Sequence, residues 1–431
     1  MPYLTLRSIT ACAGIWAPFC LPLWSFAIRI QYCVTTFYSS ESSDIFCSRT
    51  FGWRGLRLGR RTFIAAIAAG GLAAAYLVLS RSSTWERNGG TGGPEKLEVN
   101  ELVTGLEIPW SIAFLSGDEA LVTERPGRVR LVDLGTGRSE VLATVQVSHV
   151  GEGGLLGCEV VKPGPRVVLY RTVTSGGSLV NVVTSYDDLT LKDGVDLLGP
   201  IEGSSVHDGG RVRLGPDGNL YVTTGDARRP ELAQRLDSMA GKVLRIRPDG
   251  SPPGDNPFPG SPVYSLGHRN PQGLAWSPKH KRLFATEHGP TGEFGAFAHD
   301  ELNLIVPGGN YGWPLAIGRA GDPRFIDPVL ESGSETWAPS GCDFLTSPDP
   351  PELSGCLLFA ALRGSALHAV RFDGDELSPV EHFTTLRGTY GRLRDVRQGP
   401  DGAIYVLTSN RDGRGTPRTG DDKVLVLGTR R

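Results

Sequence analysis

Residues 215–226 read GPDGNLYVTTGD and residues 399–409 read GPDGAIYVLTS, almost the same words twice. Each begins with a Gly-Pro-Asp-Gly turn and runs into β-branched and aromatic residues, the chemistry of a tight turn feeding a strand. Looser copies are SGDEALVTER at 116–125, GPRVVLYRT at 164–172, SPKHKRLFATEHG at 277–289 and SGCLLFAALRG at 354–364. The copies recur roughly every 50 to 70 residues, a period that accommodates one four-stranded blade plus insertions. Six copies predict an all-β chain: a six-bladed β-propeller of four-stranded antiparallel blades over residues 100–431. Several repeated strands end in charge, at Glu124-Arg125, Asp226, Glu287-His288 and Arg363. In a propeller the loops at one end of the blades converge on the central channel, so these termini are expected to meet in a shared polar site.

Composition agrees with such a chain. Of 431 residues, 57 are Gly and 31 are Pro, spread along the sequence rather than clustered. The formal charge is −2 and the isoelectric point is near 6.5, which argues against nucleic acid as a partner and for a small-molecule site.

The first eighty-odd residues differ. Arg60-Arg61 stands directly before a low-charge run, Thr62 to Ser80, rich in Ala, Leu and Ile. That is the layout of a twin-arginine export signal, and the run is also long enough for a single membrane anchor. Either reading of residues 56–81 puts the rest of the chain outside the cytoplasm, in the periplasm or at the cell surface. Residues 1–55, with Cys12, Cys20, Cys33 and Cys47, read as an N-terminal extension or an over-extended gene start. Residues 82–99 read as a linker. In the main body Cys342 and Cys356 flank a turn, and a hairpin there would set them opposite each other as either a disulfide or two free thiols.

Three groups of residues carry chemistry. Arg269-Asn270, Arg363, and Arg392 with Arg394 all lie near blade ends; several guanidiniums in one mouth call for a polyanionic ligand. Each alone is equally an ion-paired surface residue, as Arg394 with Asp395 would be. His207, with Asp226 at the end of the following strand, makes a general base and its orienting carboxylate. Finally TEHGP at 286–290 and DELNLIVPGGNYGWP at 300–314 offer Asp300, Glu301, Asn303 and loop carbonyls, hard oxygen donors of the kind Ca²⁺ prefers. Zinc spacing, an EF-hand loop, a Walker motif and a G-x-S-x-G elbow are all missing from the sequence.

Taken in order, LEIPWSIAF, GEGGLLG, HDGGRVRLGPDGNLYVTTGD, YSLGHRNPQGLAW, EHGP, DELNLIVPGGNYGWP and GRLRDVRQGPDGAIYVLTS resemble the soluble PQQ-dependent sugar dehydrogenases, the glucose/sorbosone or aldose sugar dehydrogenase family. The resemblance runs from about Leu102 to Leu427. It implies a propeller carrying pyrroloquinoline quinone (PQQ), whose three carboxylates would account for the arginines, and Ca²⁺. By the same resemblance Arg269, Asn270, Arg392 and Arg394 would contact PQQ, with Glu152 and Arg363 beside them. Carbonyls of Gly289 and Pro290 would hold the calcium next to PQQ, and Glu301 and Tyr311 a structural one. His207, steadied by Asp226, would take the proton of an aldose anomeric hydroxyl, giving a lactone and passing electrons to an external acceptor such as a quinone, cytochrome or dye.

Departures from the family pattern are Glu152 where some members have Gln, Arg363 where Lys is common, and Val206 where the best-known glucose-oxidising type has a carboxylate. Phe294 and Phe297, in the loop 289–302, either line a sugar pocket or pack on a neighbouring blade. Two other readings stay open at this point: a calcium-dependent lactone hydrolase, and a non-catalytic propeller that binds a glycan or a protein.

Overall fold

The computed structural model describes residues 97–428. The extension 1–55, the segment 56–81 and most of the linker lie outside the described residues, as do Cys12, Cys20, Cys33 and Cys47. Among the described residues no helix is long and apolar enough to cross a membrane.

Six four-stranded sheets make up the fold, and every neighbouring pair within them is antiparallel. Five are built from consecutive strands, beginning with Pro109–Phe114, Leu155–Val161, Val212–Leu214, Pro271–Trp276 and Pro339–Phe344. The sixth begins with Leu393–Gln398, and its outermost strand is Val99–Val103 from the other end of the chain. Val99 lies opposite Leu427 and Asn100 opposite Val426. This pairing closes the ring, because backbone hydrogen bonds within the sixth blade join the segment that leads into the first blade to the last strand of the chain.

All six repeated motifs lead into the second strand of a blade. Leu220–Thr224 is buried along its whole length because it is covered on both faces. Val222 packs in the apolar cluster shared with the second blade, while Tyr221, one residue earlier, packs in the cluster shared with the fourth. Opposite faces for successive residues follow from the pleat. Among the described residues there is one such apolar cluster between each pair of neighbouring blades.

The two GPDG turns are built alike. Asp217 accepts from the Asn219 N–H at 3.2 Å and the Tyr221 hydroxyl at 3.1 Å. Asp401 accepts from the Ala403 N–H at 3.1 Å and the Tyr405 hydroxyl at 2.8 Å. The turn carboxylate thus ties the turn to the strand it starts, which is why the words repeat.

The cysteines correct one expectation. Cys342 and Cys356 are free, buried thiols. Register sets Cys342 opposite Phe359 rather than Cys356. Cys342 packs between blades four and five, whereas Cys356 packs between five and six, so the blade itself separates them.

Antiparallel order positions the site. The end of a second strand and the start of a first strand lie at the same end of a blade. Loops after the second strands and loops before the first strands therefore gather at one mouth.

Candidate active site

His207 lies in the loop before the third blade, with its backbone in the left-handed region at φ 62°. Such strain in a non-glycine residue is held only where the surroundings over-determine it. The surroundings here are specific: a Cβ at Gly225 would collide with the His207 carbonyl, so the neighbouring strand end can approach only as glycine. That approach brings Asp226 Oδ1 to 2.8 Å from His207 Nδ1. Asp226 is fully buried; its Oδ2 accepts the Trp313 indole N–H at 2.8 Å and its Oδ1 the Arg228 N–H at 2.8 Å. On the other side of the ring, Arg269 Nη2 lies 2.9 Å from His207 Nε2.

These contacts determine the tautomer. A guanidinium only donates and a carboxylate only accepts, so Nε2 carries the lone pair and Nδ1 carries the hydrogen. His207 therefore presents a base at Nε2, held in orientation by the chain Trp313, Asp226, His207.

Beside it opens a cavity with about 770 Å³ of empty space, including its open mouth. Trp110 forms part of its wall, with the Arg211 and Arg394 guanidiniums 4.3 and 5.6 Å from its ring centre. Four guanidiniums (Arg125, Arg392, Arg394 and Arg414) and three carboxylates (Glu152, Asp208 and Asp412) line it. Burial pushes the Asp208 carboxyl up to about 6, which weakens its claim to be an anion. Arg392 is paired with Asp412 at 2.8 Å and Arg414 with Glu152 at 2.8 Å. Arg394 reaches only the neutral groups Gln272 Oε1, at 2.7 Å, and Ser340 Oγ, at 3.4 Å. Burial lowers its pKa, Asp412 and Glu152 oppose that shift, and the neighbouring Arg125 and Arg392 add to it.

The donors confirm the shortage. Arg125 Nε, Arg269 Nε, Arg394 Nε and Asn270 Nδ2 are buried without a hydrogen-bond partner, at a cost of roughly 1–3 kcal/mol for each such group. Of these, Arg125 and Arg394 line the cavity, where a polycarboxylate would supply what their Nε groups lack, so the wall fits an anionic quinone. Two consecutive loop carbonyls have lone pairs to spare. Among the described residues no donor reaches the Gly289 carbonyl, while the Pro290 carbonyl takes the Ala298 N–H at 2.9 Å and keeps one lone pair. Among the described residues no three His, Cys, Asp or Glu side chains converge as a metal cluster. A calcium ion at these carbonyls would complete its 6–8 oxygens from the cofactor and water.

The sequence expectations divide accordingly. Glu152, Arg392 and Arg394 line the cavity, His207 with Asp226 and Asn270 stand beside its wall residues Asp208 and Gly209, and Gly289 and Pro290 follow His288, which lines it. Arg269 lies beside the cavity, over the Trp313 ring at 5.5 Å, between His207 and Glu293. Asn270 holds the His207 loop by accepting the Gly209 N–H at 3.0 Å. The extra charge at Glu152 is answered by Arg414, and its second oxygen accepts the His207 N–H at 3.3 Å.

Arg363 does not join them. Leu362 turns into the cavity and Arg363, the next residue, is exposed. Asp395 pairs with the buried Arg211 at 3.0 Å, not with Arg394. Glu301 is half-buried in a cross-strand row with Glu287 and Glu331. Burial first, then repulsion by Glu287, raises its pKa well above the ordinary value. The Tyr311 hydroxyl donates to the Leu304 carbonyl at 2.5 Å, and its ring stacks on His268.

The sequence reading left out Arg125, Asp412, Arg414, Trp313 and Glu293. Arg125 carried a signal, as the charged end of a repeated strand. Arg414 and Asp412 stood in the charged loop NRDGRGTPR, and Trp313 and Glu293 in loops already singled out for other roles.

The profile of the glucose/sorbosone dehydrogenases matches residues 106–417. This chain belongs to the glucose/sorbosone dehydrogenase family. The resemblance in the motifs is thereby confirmed, and with it the reading of the chain as an enzyme of this PQQ-dependent class. The glucose/sorbosone dehydrogenase described here is 32% identical to the aldose sugar dehydrogenase YliI of Escherichia coli, over 78% of this chain and 95% of that one. Among solved structures, it superposes on a glucose dehydrogenase-type oxidoreductase from Thermus thermophilus with 48% identity and a TM-score of 0.71, covering 77% of this chain and 100% of that one. The PQQ-bound aldose sugar dehydrogenase of Streptomyces coelicolor is 39% identical, with a TM-score of 0.68 over 78% of this chain and 99% of that one.

Proposed function

We propose that this glucose/sorbosone dehydrogenase is an exported PQQ- and calcium-dependent enzyme that oxidises the anomeric hydroxyl of aldoses to lactones. The observation that carries the reading is a base with a defined lone pair, at His207 Nε2, beside a cavity whose buried donors lack an anion. The PQQ-bound relative from Streptomyces supports it.

Arg125, Arg394 and Asn270 would hold the carboxylates of PQQ, and the Gly289 and Pro290 carbonyls the calcium. When bound, PQQ supplies a two-electron acceptor for the hydride of the sugar C1, and calcium a Lewis acid beside it. His207 Nε2 takes the proton of the hydroxyl on that carbon. Asp226, fixed by Trp313, stabilises the imidazolium so formed and keeps the ring from flipping. Glu152 is restrained by Arg414, so its charge is not presented bare to the cofactor. Repeated turnover would need an external electron acceptor to regenerate the cofactor.

Reconstitution tests this. Purified apo-protein is expected to oxidise aldoses with an artificial electron acceptor only when both PQQ and Ca²⁺ are added. Failure to bind PQQ at micromolar concentration would favour the hydrolase or the non-catalytic propeller.

The export half rests on Arg60-Arg61 and the run Thr62–Ser80. Changing both arginines to lysine is expected to leave the protein in the cytoplasmic fraction of an expressing cell. Unchanged export would remove the twin-arginine route.

A further inference from the structure

The loop 288–300 after the second strand of blade four carries Glu293 over the base. Glu293 Oε1 accepts from Arg269 Nη2 at 2.6 Å and stands 3.9 Å from His207 Nε2. Its Oε2 accepts the Thr291 N–H at 2.6 Å. The loop is braced by a bridge between Thr291 and Phe297. Phe294, in left-handed backbone at φ 55°, sets its ring edge against Trp313, the same indole that orients Asp226. With 29% of its side chain exposed, Glu293 is open to solvent beside His207.

A count of hydrogens shows what the cluster lacks. Arg269 Nη2 has two hydrogens but three acceptors in reach: His207 Nε2 at 2.9 Å, Thr291 Oγ1 at 3.2 Å and Glu293 Oε1 at 2.6 Å. Burial alone would raise the Glu293 carboxyl, but the Thr291 N–H and the Arg269 guanidinium hold it at about 2. Glu293 is therefore an acceptor only. Glu293 Oε1 keeps a second lone pair beyond the one that Arg269 fills, and an arriving polyol brings a donor for it.

We propose that Glu293 is a specificity-determining residue: its Oε1 accepts the hydroxyl on the carbon next to the reacting one, while His207 Nε2 takes the reacting hydroxyl. Acceptors 3.9 Å apart are bridged by adjacent hydroxyls of one sugar, each donating to its own acceptor. A site built around such a contact rejects the analogue that lacks the hydroxyl, because the carboxylate is then left unpaired. The inference rests on the function proposed above, and it names the substrate class: neutral aldoses with a free 2-hydroxyl.

The test compares kcat/KM for glucose, galactose and ribose with that for their 2-deoxy analogues, in the reconstituted holoenzyme. The wild type is expected to prefer the parent sugars by about 10- to 100-fold. Glu293→Ala should bring that ratio near one, and Glu293→Gln, which keeps an acceptor oxygen, should lie between. The ratio is internally controlled, since any disturbance of Arg269 or His207 slows both sugars of a pair. Calorimetry with 1,5-anhydroglucitol and its 2-deoxy analogue, which have no anomeric hydroxyl to oxidise, gives the same comparison without turnover. An equal ratio in wild type and Glu293→Ala overturns this inference and leaves the dehydrogenase standing. If no parent sugar is turned over by enzyme carrying PQQ and Ca²⁺, the proposed function falls, and this inference with it.

Discussion

Replacement of His207 by alanine is expected to lower kcat by about 10²- to 10⁴-fold, the usual contribution of a positioned general base. PQQ affinity should stay within a few-fold of wild type, because the imidazole stands beside the cavity and its departure removes no guanidinium from the wall. Asp226→Asn separates orientation from presence. An asparagine amide can donate to Nδ1, which would move the ring hydrogen to Nε2 and occupy the lone pair that acts as the base. A large fall in kcat in both variants, with unchanged PQQ binding, identifies the pair. A His207→Ala enzyme that keeps kcat within a factor of a few would remove His207 from the chemistry.

Arg394→Met is expected to weaken PQQ binding by about 30- to 3,000-fold, the range for truncating one partner of a buried charged contact at about 2–5 kcal/mol. The apo-protein should respond in the opposite sense. Arg394 is a buried guanidinium with an unpartnered Nε and no carboxylate of its own. An apolar side chain of similar length removes that desolvation cost while keeping contact with Trp110. The thermal midpoint of the apo-protein should therefore hold or rise, while the increase on adding PQQ shrinks. If both fall together, Arg394 serves the fold rather than the cofactor.

The propeller was legible because its signals are local. The Asp217 and Asp401 turns repeat because each must satisfy the same N–H and the same tyrosine hydroxyl, and neither depends on distant residues. His207 and Asp226 were legible as a pair for a similar reason, since a single strand separates them. Arg363 was misplaced because a one-residue difference in side-chain direction, between Leu362 and Arg363, decides which of two neighbours enters the cavity. The expected opposition of Cys342 and Cys356 failed on register, which neither cysteine encodes.

The sequence by itself therefore determined the module, its sixfold count, the family and the pairing of His207 with Asp226, all written in short contiguous stretches. Only the tertiary structure decided which charges are cancelled and which are left over. Glu152 is neutralised by Arg414 across the ring, Asp395 is claimed by Arg211, and Glu293 is brought over His207 beside Trp313. Those outcomes depend on loops from different blades meeting at one mouth, where a shift of a few ångströms separates an ion pair from an unpartnered charge.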